Sequence, residues 1–178
     1  MKVVRDGDFI GVVAPDAFTA EKAVSAIRVK WTAPAQPSNE GLFDYLKSNA
    51  DSGRDEGPQH VTGSVARAFA GADLKLMGEY TVAYIAHAPL EPRAAVAEWV
   101  EGKLTVWTGT QRPFGVRDEI VPAFHLSPSQ VRVIQPDMGS GYGGKHTGEA
   151  AIEAARLARA AGKPVKVVWT RIEEFNWA

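Results

Sequence analysis

Cysteine is absent from the 178-residue sequence. The chain therefore has no disulfide framework, thiolate zinc site, iron–sulfur cluster or cysteine nucleophile of its own. An excess of one charge is missing as well: 20 Lys and Arg stand against 21 Asp and Glu, a formal net charge of −1. That balance excludes the basic footprint of a nucleic-acid binder and the polybasic patch of a membrane-surface protein. No uncharged apolar run approaches the roughly 18 residues that a spanning helix requires, so direct membrane insertion is not expected. Asp6 follows Met1-Lys2-Val3-Val4-Arg5 too early for a signal peptide. The compartment, cytoplasmic or periplasmic, is left open. What remains is ordinary globular composition, 45% hydrophobic and 23% charged, which excludes a wholly disordered chain.

Along the chain, residues 1–34 suggest a strand–helix–strand unit. Phe9–Ala14 is a short apolar strand closed by Pro15, and Asp16 is placed to cap a helix running to about Arg28. Phe18, Ala23, Val24 and Ile27 give that helix an apolar face, and Ile27–Trp31 alternates like a half-buried strand. From Thr32 to about Gly63 the composition turns polar, punctuated by Pro34, Pro37, Gly41, Gly53, Gly57 and Pro58. This stretch is expected to be a linker with one short helix near Leu42–Lys47, and Ser64 caps another at Val65–Ala70. Lys75–Ala86 has the alternation of a long strand. Ala94–Val100 and Lys103–Trp107 form a hairpin around Gly102. A helix from Pro113 to about Leu126, a strand Val131–Ile134, a glycine loop, an alanine-rich helix Thr147–Ala161 stopped by Gly162 and a strand Val165–Trp169 follow. Thr170–Phe175 opens a further helix just before the last residues, a pattern expected of a segment from a longer polypeptide. The fold class expected is α+β, a two-layer mixed sheet with helices packed on one face.

Chemistry concentrates in the loop Met138-Gly139-Ser140-Gly141-Tyr142-Gly143-Gly144-Lys145-His146. Four glycines in six residues let a backbone take positive φ, approach another group closely and leave N–H donors exposed. Gly139, Gly141 and Gly144 match a dinucleotide fingerprint, and Gly139, Gly144 and Lys145 match most of a phosphate-binding loop. A phosphate-binding loop carries Ser or Thr after its lysine, where His146 stands here, and Gln135-Pro136-Asp137-Met138 separates the loop from its strand. A nucleotide-binding module using Gly139–Lys145 is nonetheless one alternative. A non-catalytic interaction domain is another.

Further segments add to the loop. His87-Ala88-Pro89-Leu90-Glu91-Pro92 follows the long alternating run, Thr110-Gln111-Arg112-Pro113 follows the hairpin, and Lys163-Pro164-Val165-Lys166-Val167-Val168-Trp169-Thr170-Arg171 follows the alanine-rich helix. In that order and spacing, residues 75–175 resemble the molybdopterin-binding large subunit of the xanthine dehydrogenase and aldehyde oxidase family, most nearly bacterial subunits of the isoquinoline 1-oxidoreductase beta type. Residues 1–34 resemble the end of the hammerhead domain that precedes the cofactor domain there. The resemblance thus implies three parts: 1–34, a linker at 35–72, and the first part of a cofactor domain at 73–178.

The resemblance implies an enzyme that hydroxylates an aldehyde or N-heterocycle with oxygen from water. It implies a molybdopterin cofactor, in bacteria commonly the cytosine dinucleotide form, and a partner subunit carrying [2Fe–2S] centres, consistent with the missing cysteines. Gln111 matches the family glutamine whose amide approaches the metal's apical oxygen. Gly141, Tyr142, Gly143 and Gly144 match the loop whose backbone faces the cofactor, with Tyr142 in a position usually held by phenylalanine. Ser140 replaces a usual glycine and would be strained at positive φ. His146 stands where purine-oxidising members carry a glutamate, so it marks the substrate pocket and makes a purine less expected. His87 and Glu91, around the Pro89/Pro92 turn, are expected to organise a loop near the cofactor or a domain contact, whereas His60 and His125 have no ligand-like surroundings. The family's general-base glutamate has no counterpart here, so the isolated 178 residues are expected to be inactive and to hold no cofactor tightly.

Overall fold

The computed structural model describes residues 1–51, 60 and 62–176. The punctuating residues Gly53, Gly57 and Pro58 lie outside the described residues. Contacts divide the chain into two units, Val29–Ala83 and a larger one formed by Met1–Arg28 with Tyr84–Ala178.

The larger unit is built on a mixed four-stranded sheet. Strands β3 (Ala94–Val100) and β4 (Lys103–Thr108) form the expected antiparallel hairpin. Glu101 and Gly102 both take positive φ, +49° and +75°, which matches the turn to the twist of the strands it joins. β5 (Val131–Ile134) lies parallel to β4, and β6 (Val165–Val168) antiparallel to β3, giving the order β5-β4-β3-β6. Helix α4 (Pro113–Phe124) makes the crossover that the parallel β4–β5 pair requires. It starts on a proline and stops at His125, an exposed residue in the left-handed region at φ +54°. Helix α5 (Glu149–Ala161) ends at Gly162, φ +64°.

One face of the sheet presents Ala95, Ala97, Leu104, Val106 and Val131 to Val116, Ile120 and Phe124 of α4 and the alanines of α5. Both helices therefore cover one face, as expected of a two-layer α+β arrangement. Trp99 seals the layer: its indole donates to the Ala155 carbonyl at 2.9 Å and meets the Phe124 ring edge-on at 5.4 Å.

The first residues form a hairpin, β1 (Lys2–Asp6) and β2 (Phe9–Val13), turning at Gly7. β1 was not expected, since Lys2, Arg5 and Asp6 at its ends conceal a short apolar centre. The hairpin packs on α5: Asp6 pairs with Arg156 at 3.4 Å, and Lys2 donates to the Ala160 carbonyl. Helix α1 (Ala17–Ser25) is capped by Asp16, whose carboxylate accepts the Thr19 N–H at 2.8 Å. Of its expected apolar face, Phe18 and Val24 are exposed and Ala23 and Ile27 are half-buried.

Two expected strands are corrected. Ile27–Trp31 and Lys75–Ala86 pair with no strand among the described residues. Each has the period of a strand, but a strand also needs a partner's backbone to satisfy its N–H and C=O groups. In the smaller unit α2 (Leu42–Ser48) and α3 (Val65–Ala70) fall where expected, with Ser64 Oγ accepting the Arg67 N–H at 3.3 Å.

Candidate functional site

The glycine loop leaves β5, passes residues 139–144 and enters α5. Within it Ser140, Tyr142 and Gly143 take φ of +62°, +55° and +101°. Two L-residues thus occupy backbone that costs them roughly 1–2 kcal/mol each; the strain expected at Ser140 is present, and Tyr142 shares it.

Gln111, just past β4, reaches this loop. Its Oε1 accepts the Gly143 N–H at 2.8 Å, and its backbone N–H donates to the Lys145 carbonyl at 2.9 Å. Thr110 Oγ1 donates to that same carbonyl at 3.0 Å. The approach is close enough that a Cβ on Gly141 would stand 2.5 Å from Gln111 Oε1, so the loop's glycines are needed for contacts inside the chain. His87 lies against Gly143 and Gly144, where a Cβ would come within 3.3 and 3.1 Å of its side chain. Gln111, Gly141, Gly143 and Gly144 are therefore brought together. Tyr142 is 71% exposed at the loop's tip, and His146 is exposed beyond it. Among the described residues, the Gln111 side-chain N–H groups and the Tyr142 N–H find no acceptor. They are donors free for a ligand.

A network of charges anchors the loop from behind. Glu91 Oε2 accepts the Gly139 N–H at 2.7 Å and the Lys145 ammonium at 2.6 Å. The lysine hydrogen bond, helped by the Gly139 N–H and opposed by partial burial, holds the Glu91 carboxyl below the ordinary carboxylate range. Lys145 is 1% exposed, so it presents no cation to a phosphate, and the nucleotide alternative loses its main ligand. Glu91 does organise the loop, as its place beside the proline turn suggested.

Arg93 and Glu174 were missed by sequence reasoning. Arg93 Nη1 donates to Glu174 Oε1 at 2.7 Å, its backbone N–H to Glu174 Oε2 at 2.8 Å, and Nη2 to the Gly144 carbonyl. The guanidinium stacks on Trp169 at 5.1 Å, and the Trp169 indole donates to Glu153 Oε2 at 2.8 Å. Burial raises the Glu153 carboxyl above its ordinary value despite that hydrogen bond. Helix α6 (Arg171–Asn176) supplies Glu174, and Arg171 donates to the carbonyls of Pro89 and Leu90 at 2.7 and 3.0 Å. Only the run of charged residues after Trp169 could have drawn attention to these residues; their partners lie about eighty positions away.

A cleft of about 170 Å³ opens beside this network, lined by Glu91, Trp107, Gly109, Asp137 and Lys145 among others. It is not lined by Gln111, Tyr142 or His146. No group of three His, Asp or Glu able to hold a metal ion occurs among the described residues. His60 is exposed, with Thr62 Oγ1 3.4 Å from its ring.

Comparison with known proteins matches residues 50–178 to the family described as the molybdopterin cofactor-binding domain. The chain is similar to a component of the nicotinate dehydrogenase of Pseudomonas putida, 29% identical over 175 residues, covering 98% of this chain and 15% of that protein. It is also similar to the beta component of the isoquinoline 1-oxidoreductase of Brevundimonas diminuta, 27% identical, covering 94% of this chain and 23% of that protein. Among solved structures, quinoline 2-oxidoreductase from Pseudomonas putida 86 superposes with a TM-score of 0.67 at 29% identity, over 91% of this chain and 22% of that one. The chain spans less than a quarter of the length of each of these relatives.

Proposed function

We propose, for a chain that belongs to the family of molybdopterin cofactor-binding domains, that it forms one wall of the cofactor pocket in a molybdenum hydroxylase acting on an aldehyde or an N-heterocycle. The observation that carries this is the Gln111 amide: its oxygen is tied to Gly143 at 2.8 Å, which turns its N–H groups into oriented, unclaimed donors. With the Tyr142 N–H they suit an oxygen-rich, anionic group that is held by hydrogen bonds.

The cofactor, when bound, supplies the two-electron oxidation and the site at which oxygen from water enters the product. Gln111 and the backbone of residues 141–144 then bind and orient it. A neutral amide serves this role because it donates without competing as a strong ligand. Exposed His146 faces the substrate side, where an imidazole can donate to or accept from a ring nitrogen or carbonyl. The relatives' names, nicotinate, isoquinoline and quinoline, are those of N-heterocycles and support that substrate class.

A partner subunit carrying [2Fe–2S] centres would take up the electrons. Residues 1–34 serve as the end of a hammerhead-like portion, 35–72 as linker and 73–178 as the first part of the cofactor domain. The general base and the other pterin contacts come from elsewhere in the polypeptide, so the 178 residues alone neither turn over nor retain cofactor, which in a bacterial enzyme is the cytosine dinucleotide form.

Purifying the full-length polypeptide and assaying molybdenum and oxidised-pterin fluorescence tests this. One of each per polypeptide is expected, with label from ¹⁸O-water appearing in the hydroxylated product. Metal-free protein that saturably binds ATP or NAD would overturn it.

A further inference from the structure

We infer that the tripeptide Glu91-Pro92-Arg93 is the positioning element that sets the span of the glycine loop, and so how firmly the loop grips its cofactor. This rests on the cofactor assignment made above. Both ends of the loop are tied to these three residues. Glu91 takes the Gly139 N–H at the upstream end and the Lys145 ammonium just past the downstream end, at 2.7 and 2.6 Å on one oxygen. Arg93 donates to the Gly144 carbonyl. Residues 139 and 144–145 are thus held at a separation dictated by side chains two positions apart in sequence.

The tripeptide is itself well anchored. Pro92 restricts its backbone, and β3 begins at Ala94 with strand partners on both sides. The Arg93 carbonyl accepts the Trp169 N–H at 2.9 Å, and its N–H goes to Glu174 at 2.8 Å. The loop, by contrast, holds Ser140 and Tyr142 at φ +62° and +55°, a conformation that L-residues leave when released. Lys145 makes the clasp specific. Its ammonium is buried and meets Glu91 as its one acceptor among the described residues, so neutralising Glu91 leaves a buried cation without a counter-charge and weakens the charge-assisted bond to the Gly139 N–H. Releasing either end alters the spacing between Gln111 and the Tyr142 N–H, the two donors offered to the cofactor.

The test is the rate at which purified holoenzyme releases molybdenum into a chelating buffer, far below the unfolding temperature, with thermal midpoints measured in parallel. Glu91→Gln, which keeps shape and removes charge, is expected to release at least tenfold faster than wild type, an acceleration larger than that of Glu119→Gln, with a midpoint lowered by the uncompensated Lys145 ammonium. Glu91→Asp, which keeps charge but shortens the reach, is expected to fall between and stands in should the first variant not fold. Glu119→Gln is the control: Glu119 accepts the Gly148 N–H at 2.7 Å at the start of α5 and does not touch residues 139–145. Wild-type release rates in a folded Glu91 variant overturn the inference. So does equal acceleration by Glu119→Gln, which would make the effect one of general stability. Wild-type enzyme purified without molybdenum overturns the cofactor assignment, and this inference with it.

Discussion

Residues 94–108 and residues 74–86 carry the same kind of alternating apolar pattern and end in opposite environments. In the hairpin Ala97, Leu104 and Val106 are 0–1% exposed; in the other segment Leu76, Tyr80 and Val82 are 80–90% exposed. Alternation states only which way successive side chains point. Burial needs a ladder beside the strand and a layer above it. The hairpin has β5 and β6 at its edges and α4 and α5 across its face, whereas residues 74–86 form no strand pairing among the described residues. The same contrast separates ion pairs. Arg93 and Glu174 meet with side chains 9% and 3% exposed, whereas Lys47 and Glu79 meet in solvent at 64% and 72%.

The comparison breaks most visibly at the buried pair. Arg93→Met should destabilise by about 3–5 kcal/mol, because it leaves Glu174 charged and unpaired in the interior. Glu79→Gln should leave the urea midpoint unchanged, and equal effects from the two would show that burial does not separate these pairs. Next comes packing: Leu104→Ala should cost about 2–5 kcal/mol, and Leu76→Ala should stay within about 0.5 kcal/mol. A large loss at Leu76 would reveal a layer over residues 74–86.

The smallest effect sharpens the electrostatics. Burial raises the folded-state pKa of Glu153 above 4.5, so its share of stability is fully present below that value and is lost as pH rises through the raised pKa. Glu153→Gln should therefore gain on wild type in urea midpoint as pH climbs past 4.5, and a gap independent of pH would refute the cause. Glu91 has the opposite sign. Its folded pKa is lowered by Lys145, so its contribution is present above 4.5 and lost as pH falls through the lowered value.

Local signals were legible in the sequence where the chemistry is local. Asp16 and Ser64 cap their helices, Gly102 turns its hairpin, Pro113 and Gly162 bound theirs, and the glycine loop with Gln111 stands out by residue type. Placement of Gln111 against Gly143 follows from the family resemblance and the crossover through α4, which returns the chain to the end of β4. What stayed hidden depends on distant partners. Nothing in the window around Ile27–Trp31 or Lys75–Ala86 states whether a neighbouring strand exists. Nor does any local pattern join Arg93 to Glu174, 81 residues apart, or mark Lys145 as an interior cation and not a surface ligand.

Helix α5 serves as a partition between two layers. Its Ala150, Ala151, Ala154, Ala155 and Ala158 are at most 3% exposed, with the sheet on one side and the β1–β2 hairpin resting on the other, where Leu157 approaches Gly11 closely enough that a Cβ there would stand 2.8 Å from it. A wall made of methyl groups has no larger side chain that could be trimmed to make room for a neighbour's growth. Substitution should be best tolerated on the outward stripe around Arg159, while along the alanine stripe one added carbon would be felt by both layers at once, and through Gly148 by the loop that α5 supports.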